Sequence, residues 1–236
     1  IIAQLGARGT RAVIVGPWMW HRMSASAIDK ARKAIREAAK PNLVRVLGPG
    51  SGGLVVPAIG LNASATPVPI TPGKIALVAQ STALTAAILD RANSKGIGFS
   101  TVLHLGSDLD VDLADVLDWL AADPDTHSIL VQFDEVSAGR KFMSAARAAA
   151  RNKPVITIQP GPVSGRHEGS GPFSTADVYD AALRRAGWVS INTLGDLFEA
   201  IEAMARIRPL RGESLTILAN GHGLGRIASD ALTRAG

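Results

Sequence analysis

The sequence contains no cysteine. Disulfide bonds, thiolate catalysis and cysteine-ligated zinc are therefore excluded, and the composition fits a reducing cytoplasm. Aromatic residues are only 4% of the total, and lysine and arginine are scattered although the formal net charge is +5. Proteins that bind nucleic acid usually carry a basic stripe or stacking aromatic side chains, so we do not expect that class. A mildly basic surface suits an anionic small molecule such as a nucleotide or coenzyme A.

Long apolar runs and targeting signals are also missing. No uninterrupted apolar stretch reaches membrane-spanning length, and the first residues resemble no signal peptide, so we expect a cytoplasmic protein without membrane contact. The 236 residues are 47% hydrophobic, which suits one large or two modest folded domains. The chain starts without Met inside one helix-like segment and stops in another, which predicts a piece of a longer polypeptide.

Short Val, Ile and Leu runs alternate with helical patterns along most of the chain, which predicts an α/β fold with a mostly parallel sheet and helices on both faces. Strands are predicted at residues 11–15, 44–47, 75–78, 100–105, 128–133, 155–158, 189–191 and 215–218. Helices are predicted at residues 24–40, 82–93, 113–121, 138–151, 175–186, 194–205 and 224–235. Ser24 or Ser26 is expected to cap the first helix. Residues 48–73, rich in glycine and proline, predict a long irregular connection between two domains, with room for a short strand.

Such sheets bind ligands beyond the carboxyl ends of their strands, so the polar residues there are the candidates for a site. His167 lies in a glycine-rich loop that follows a predicted strand, where it could do chemistry or carry a phosphoryl group. Gln80, Ser81 and Thr82 form either an anion-binding helix N-terminus or an ordinary N-cap. The residues alone favour the N-cap. Asp134 ends a buried strand and either orients a histidine or caps a helix.

Other patterns are weaker. Residues 48–53 match G-x-G-x-x-G, but Leu54 and the following residues cannot open a helix, so a glycine-rich turn is predicted instead of a dinucleotide site. Residues 220–225 are a better candidate for a phosphate-binding loop than residues 48–53, although they lack the Gly-Lys-Ser/Thr ending of a P-loop. The alternating aspartates at residues 108–112 lack the rest of an EF-hand and predict a solvated loop with Asp112 as a helix cap. His104 is expected to be a packed core histidine, and no metal site is predicted.

Several segments taken together resemble one family. They are residues 72–81, 96–100, 105–112, 123–126, 177–182 and 215–220. They are similar to the nucleoside-diphosphate-forming acyl-CoA synthetases, a superfamily that includes succinyl-CoA synthetase and ADP-forming acetyl-CoA synthetase. The same module forms the front part of some bacterial protein lysine acetyltransferases. The resemblance runs in order over nearly the whole chain.

The resemblance implies a domain layout. Residues 1–65 correspond to the C-terminal half of a Rossmann-like CoA-binding domain. Residues 66–208 correspond to a flavodoxin-like, doubly wound parallel ligase domain, and residues 209–236 to the start of a second ligase domain. An ATP-grasp domain or subunit outside this chain would bind ATP or ADP with Mg, in a homo- or hetero-oligomer.

The resemblance also implies a mechanism, in which an acyl phosphate forms from acyl-CoA and phosphate and a loop histidine carries the phosphoryl group to the nucleotide. His167 falls at that histidine, and Asp134 falls where the family has a glutamate that orients it. The positions of the two helix N-termini that cradle the phosphoryl group are held by Gln80, Ser81, Thr82, Asn220 and Gly221. Coenzyme A is the implied cofactor, and Gly48 and Pro49 begin the segment that matches a CoA-site motif of the family.

Several residues differ from the family pattern. Thr82 stands where the family has glycine, Glu168 places a negative charge beside His167, and Gly50 replaces an asparagine. Two functions therefore remain open. One is the CoA-ligase core of an acyl-CoA synthetase, an acid–thiol ligase. The other is a non-catalytic module that binds acyl-CoA or a nucleotide and regulates a larger protein such as a lysine acetyltransferase.

Overall fold

The computed structural model describes residues 1–17, 22–134, 136–158, 175–206 and 215–235. Residues 1–206 form one compact unit and residues 207–236 form another. The strands are β1 Ala12–Ile14, β2 Arg45–Leu47, β3 Gly53–Val56, β4 Leu61–Ser64, β5 Pro72–Ala79, β6 Phe99–His104, β7 Ser128–Gln132, β8 Val155–Ile158 and β9 Val189–Ile191. The helices are α1 Ile2–Ala7, α2 Ala25–Ala39, α3 Thr82–Ser94, α4 Leu113–Ala122, α5 Gly139–Asn152, α6 Thr175–Ala186, α7 Leu194–Arg206 and α8 His222–Ala235.

The first part of the chain forms a small two-stranded parallel sheet from β1 and β2. Helix α2 begins after Ser24, whose hydroxyl accepts a hydrogen bond from the Ala27 amide, so the predicted cap is confirmed at Ser24. A small apolar cluster, which includes Val44, Val46 and Leu109, packs this sheet against the loop that follows β6.

The main sheet has seven strands in the order β4-β3-β6-β5-β7-β8-β9. Neighbours from β6 to β9 are parallel. Counted from β5, the parallel strands follow the order 2-1-3-4-5, which is the order of flavodoxin-like sheets. The prediction of a flavodoxin-like, mostly parallel α/β fold is confirmed.

The segment at residues 48–73 corrects one prediction. It is not an irregular connection, because β3 and β4 form an antiparallel hairpin that joins the main sheet along β6. The hairpin needs Gly53, whose φ is +104° and whose added Cβ would lie 2.1 Å from the Ala63 carbonyl oxygen. Burial alternates along β3, with Val55 in the core and the adjacent Val56 partly exposed, because successive side chains of a strand point to opposite faces.

Two apolar clusters cover the two faces of the main sheet. Ala76 and Val78 of β5 pack into the cluster formed with α4, α5 and α6. Ile75 and Leu77 alternate with them and pack into the cluster formed with α3 and α7. Because successive side chains of a strand point to opposite faces, this alternation confirms the prediction of helices on both faces.

The secondary structure of the second unit differs from the prediction. A strand was expected at residues 215–218, but residues 215–219 have no regular secondary structure. Helix α8 starts at His222, two residues before the predicted start at Leu224. Across the described ranges of the chain, no helix combines the length and the apolar character that crossing a bilayer requires.

Candidate functional site

The candidate site lies at the carboxyl end of β5, where the strand order places β6 on one side and β7 on the other. Ala79, the last residue of β5, pairs with His104 of β6 and with Gln132 of β7. In flavodoxin-like sheets the crevice between the first and third strands, here β5 and β7, is the topological switch point where ligands bind. Gln80, Ser81 and Thr82 follow Ala79 directly, so the sheet brings these predicted residues to that crevice.

Gln132 organises the β7 side of the crevice and is only 2% exposed. Its Oε1 atom accepts hydrogen bonds from the Gln80 amide at 3.0 Å and the Ser81 amide at 2.7 Å. Its Nε2 atom donates to Asp134 Oδ1 at 2.9 Å, and the Asp134 amide donates to Gln80 Oε1 at 2.7 Å. This closed network fixes the main chain between β5 and α3 against the end of β7.

Ser81 is the N-cap of α3. Its Oγ accepts from the Leu84 amide at 3.3 Å, and Thr85 donates its hydroxyl to the Ser81 carbonyl at 2.8 Å. The N-cap interpretation of this segment is therefore confirmed. Capping leaves the amides of Thr82 and Ala83 without partners inside the helix, and the helix dipole adds partial positive charge there. The turn is both a cap and a favourable place for an anion.

His104 organises the β6 side and is 7% exposed, so the prediction of a packed histidine is confirmed. Its ring also reaches the candidate site. Nδ1 accepts from the Gly52 amide at 2.8 Å, and Nε2 lies 2.9 Å from Thr82 Oγ1. Burial lowers the pKa of His104, while backbone groups of His104 and Gln80 act in the opposite direction. A buried, neutral imidazole therefore joins the hairpin to the first residue of α3.

The glycine-rich turn at residues 48–53 packs between the ends of β1 and β6. The Ser51 amide donates to the Val15 carbonyl at 3.1 Å, and the Ser107 amide donates to the Pro49 carbonyl at 2.8 Å. Gly48 has φ +96°, and an added Cβ would lie 2.6 Å from the Val15 oxygen, so only glycine fits. Strand β3 follows this turn, which confirms that it is not a dinucleotide-binding fingerprint.

The aspartates at residues 108–112 lie in a loop that leads into α4, and Asp110 is exposed, which agrees with the predicted solvated loop; they also bond to neighbouring elements. Asp110 accepts from the Val46 amide at 2.7 Å and from Arg45 Nε at 3.0 Å. Asp112 forms a capping box with Asp115 at the start of α4, which confirms it as a cap. Lys141 Nζ lies 2.8 Å from Asp112 and 2.7 Å from Asp115. These pairs join β2, α4 and α5 on the surface beside the crevice.

The remaining predicted residues are placed as follows. Asp134 is exposed at the crevice and does not cap α5, whose N-cap is Ala138. Asn220 and Gly221 lie directly before α8 in the second unit, and an added Cβ at Gly221 would meet no atom within 4 Å. His167, with its loop, lies outside the described residues. In the described ranges, no group of three or more His, Asp or Glu side chains is arranged to hold a metal ion.

Sequence reasoning missed Gln132 and the role of His104. Each is the last residue of a strand that is otherwise buried and largely apolar. A polar side chain at the carboxyl end of such a strand is a signal that was available, because that end faces the ligand crevice. The register decided which main-chain groups these side chains reach.

Comparisons with known proteins agree with this geometry. The family described as "Succinyl-CoA ligase like flavodoxin domain" matches residues 72–204, more than half of the chain. The α subunit of acetate–CoA ligase [ADP-forming] I of Pyrococcus furiosus is 33% identical over 242 residues, covering 100% of this chain and 52% of the relative. Acetate–CoA ligase [ADP-forming] I of Archaeoglobus fulgidus is 33% identical over 213 residues, covering 88% of this chain and 31% of the relative.

A solved structure extends the likeness to the fold. The dinucleotide-forming acetyl-coenzyme A synthetase 1 of Ca. Korarchaeum cryptofilum, in complex with phosphate and ADP, superposes with a TM-score of 0.79 at 27% identity. The match covers 99% of this chain and 51% of that one. The chain thus spans about half, or less, of the length of these relatives. With the flavodoxin-like strand order and the matched residues together, the chain belongs to the succinyl-CoA ligase-like flavodoxin-domain family and corresponds to the CoA-ligase, α-subunit-like part of ADP-forming acyl-CoA ligases.

Proposed function

We propose that this chain is the CoA-ligase core of an acyl-CoA synthetase that forms a nucleoside diphosphate. It would interconvert acyl-CoA, phosphate and a nucleoside diphosphate with the free acid, CoA and a nucleoside triphosphate, through a phosphohistidine at His167. The observation that supports this most is the capped α3 N-terminus at the switch point between β5 and β7, held by the Gln132 network. Amides of such a helix end favour a phosphoryl group.

The Gln132 network suits this role because it fixes the site before the ligand arrives. The amides of Gln80 and Ser81 are already bonded to Gln132, so the turn cannot rotate when charge changes at the site. A preorganised set of donors stabilises a charged intermediate without reorganising during the reaction. The first-turn amides of Thr82 and Ala83 would therefore hold the phosphoryl oxygens in a fixed geometry.

The proposed chemistry has three transfers. A phosphate oxygen attacks the thioester carbonyl, the C–S bond breaks, and CoA leaves as the thiol while the acyl phosphate forms. A ring nitrogen of His167 then attacks phosphorus, the bond between phosphorus and the acyl oxygen breaks, and the carboxylate leaves. Finally a terminal oxygen of the nucleoside diphosphate attacks the phosphohistidine, and the P–N bond breaks to release the triphosphate. Imidazole is a suitable phosphoryl acceptor near neutral pH.

Other residues would support these steps. Asp134, exposed at the crevice with its Oδ1 bonded to Gln132, would orient His167. Asn220 and Gly221, before α8, would form the second helix end of the cradle. Gly48 and Pro49 would contact CoA, which supplies the thiol. Gly48 and Pro49 are buried, so the approach would be at the neighbouring Gly50, which is partly exposed and where an added Cβ would meet no atom within 4 Å.

Nucleotide and partners belong to the same proposal. An ATP-grasp domain or subunit would bind ATP or ADP with Mg and receive the phosphoryl group from His167, in a homo- or hetero-oligomer in the cytoplasm. The relatives support this, since one is named an α subunit and the solved structure is a complex with phosphate and ADP. The domain limits at residues 65 and 208 remain predictions.

The test is phosphorylation of the full-length protein, together with its nucleotide-binding partner, by labelled ATP. We expect an acid-labile label on the wild type and none on His167→Ala. The matched control is His127→Ala, because His127 is exposed and its amide bonds to the Lys74 carbonyl at the amino end of β7, away from the crevice. An unlabelled wild type, or a label that survives in His167→Ala, would contradict the proposal.

Thr82 favours a second candidate function. Its side chain occupies the start of α3, where the resembling family has glycine, so the site could bind an acyl-CoA or nucleotide without turnover and regulate an attached domain such as an acetyltransferase. Calorimetry on the full-length protein separates the two. Binding of acyl-CoA with no phosphorylation of His167 would favour the regulatory module.

A further inference from the structure

The contact between His104 and Thr82 has a defined direction. The Gly52 amide can only donate, so His104 Nδ1 at 2.8 Å must accept and carries no proton. In a neutral imidazole the proton is then on Nε2. Nε2–H therefore donates to Thr82 Oγ1, which lies 2.9 Å away.

The surroundings keep this tautomer. His104 is 7% exposed, which disfavours the charged ring, and its carbonyl accepts from the Ser51 hydroxyl at 2.5 Å. The Ser51 Oγ atom in turn accepts from the Gly53 amide at 2.9 Å. Gly52 approaches so closely that an added Cβ would lie 2.9 Å from His104 Cγ. The hairpin thus fixes both the ring position and the nitrogen that bears the proton.

Thr82 is the exposed end of this chain of hydrogen bonds. Its oxygen accepts from His104, so its own hydroxyl proton is available to another acceptor. Within the described residues no further hydrogen bond of this hydroxyl is formed. The hydroxyl lies on the first residue of α3, beside the amides of the first turn.

We propose that Thr82 donates its hydroxyl proton to a phosphate oxygen at the α3 N-terminus, and that His104 is the positioning residue that makes Thr82 a donor. This inference rests on the proposed function, because it specifies how that site holds its phosphate. The hydroxyl adds a side-chain donor to a helix end that otherwise presents only amides. The threonine in place of glycine is then part of the anion site, and its side chain is held against His104.

Three variants of the full-length protein test the pair. Thr82→Val removes the hydroxyl but keeps the branched shape, whereas Thr82→Ser keeps the hydroxyl. His104→Asn keeps an acceptor for the Gly52 amide, since an asparagine Oδ1 can take the place of Nδ1, but it cannot reach Thr82. The double variant of Thr82→Val and His104→Asn completes the cycle.

Two measurements are made on each variant. Calorimetry gives the dissociation constant for inorganic phosphate, and turnover of acyl-CoA, phosphate and ADP gives the KM values for phosphate and acyl-CoA. Thr82→Val should weaken phosphate binding by about tenfold, the effect of one hydrogen bond to a charged group, with the KM for acyl-CoA unchanged. Thr82→Ser should stay within about twofold of the wild type. His104→Asn should weaken phosphate binding less than Thr82→Val, and the double variant should match Thr82→Val, because His104 acts only through Thr82.

The outcomes separate this inference from the proposed function. A wild type that binds phosphate with the expected variant pattern but does not turn over supports the role of Thr82 and overturns the ligase activity. A wild type that turns over, with Thr82→Val unchanged in phosphate affinity, overturns this inference alone. A wild type that binds no phosphate overturns both. Nitrogen NMR adds a check without ligand: a His104 protonated on Nδ1, identified by the signals lost in His104→Asn, would also overturn it.

Discussion

The strands on either side of β5 both end in a buried polar residue, but the two residues make different contacts. Gln132 and His104 both pair with Ala79, and both are buried polar residues at the ends of their strands. Gln132 accepts from main-chain amides and fixes the backbone of the turn. His104 accepts from the hairpin and, through its other nitrogen, fixes a side chain, Thr82. Residues in identical register therefore fix the main chain on one side of the crevice and an exposed side chain on the other.

Loss of Gln132 should have the largest effect on stability. Gln132→Leu would leave the Ser81 amide without its acceptor, whereas the Gln80 amide would keep its bond to the main-chain carbonyl of residue 132, at 3.2 Å. An unsatisfied amide costs roughly 1–3 kcal/mol, and loss of the remaining Gln132 side-chain bonds adds to it, so we expect the free energy of unfolding to fall by about 2–3 kcal/mol. Chemical denaturation of the chain measures this change.

Thr157→Val is the matched control for Gln132→Leu. Thr157 lies on the next strand, β8, is fully buried, and its hydroxyl has no hydrogen-bond partner among the described residues. Replacing it with an apolar side chain of the same shape should leave the stability unchanged or raise it. Equal losses in the two variants would show that the Gln132 network contributes nothing specific.

Displacing the His104 ring should lower the stability less than Gln132→Leu does, and it should also weaken phosphate binding. An alanine at Gly52 would place Cβ 2.9 Å from His104 Cγ, so the ring must move. We expect Gly52→Ala to lower the free energy of unfolding by about 1–2 kcal/mol and to weaken phosphate binding. Gly139→Ala is the control, because an added Cβ there meets no atom within 4 Å. Phosphate affinity unchanged in Gly52→Ala would argue against the link from the hairpin to Thr82.

The smallest expected effect is on the pH dependence of stability. Comparison of the wild type with His104→Asn isolates the contribution of His104. Burial lowers the pKa of His104 from its usual value of about 6.5, so below that pH the unfolded chain binds more protons than the folded one. The contribution is complete above about pH 6.5 and is lost as the pH falls through the folded pKa. We therefore expect the stability of the wild type relative to His104→Asn to decrease from pH 7.5 to lower pH. A constant difference across that range would show that His104 titrates normally.

Local signals were predicted well from the sequence. Ser24 or Ser26, and Asp112, were expected as caps because short polar side chains bond the free amides of a helix start, and Ser24 and Asp112 do so. The buried strands β5 to β8 were found because parallel strands covered on both faces are largely apolar. The hairpin of β3 and β4 was missed, because its short strands lie among glycines and prolines that indicate turns. Residues 215–218 were wrongly predicted as a strand from their apolar composition alone.

The sequence by itself determined the class of fold, the family and the set of polar residues at the strand ends, because periodicity, capping and motif order are local properties of the chain. It placed Gln80, Ser81 and Thr82 at a helix start, and Asp134 after a strand. Only the tertiary structure decided that Gln132 holds the turn and that His104 reaches Thr82. Those contacts join Gln132 to residues 51 and 52 positions away and His104 to a residue 22 positions away. They depend on strand order and on the register that sets both residues beside Ala79, which no local pattern encodes.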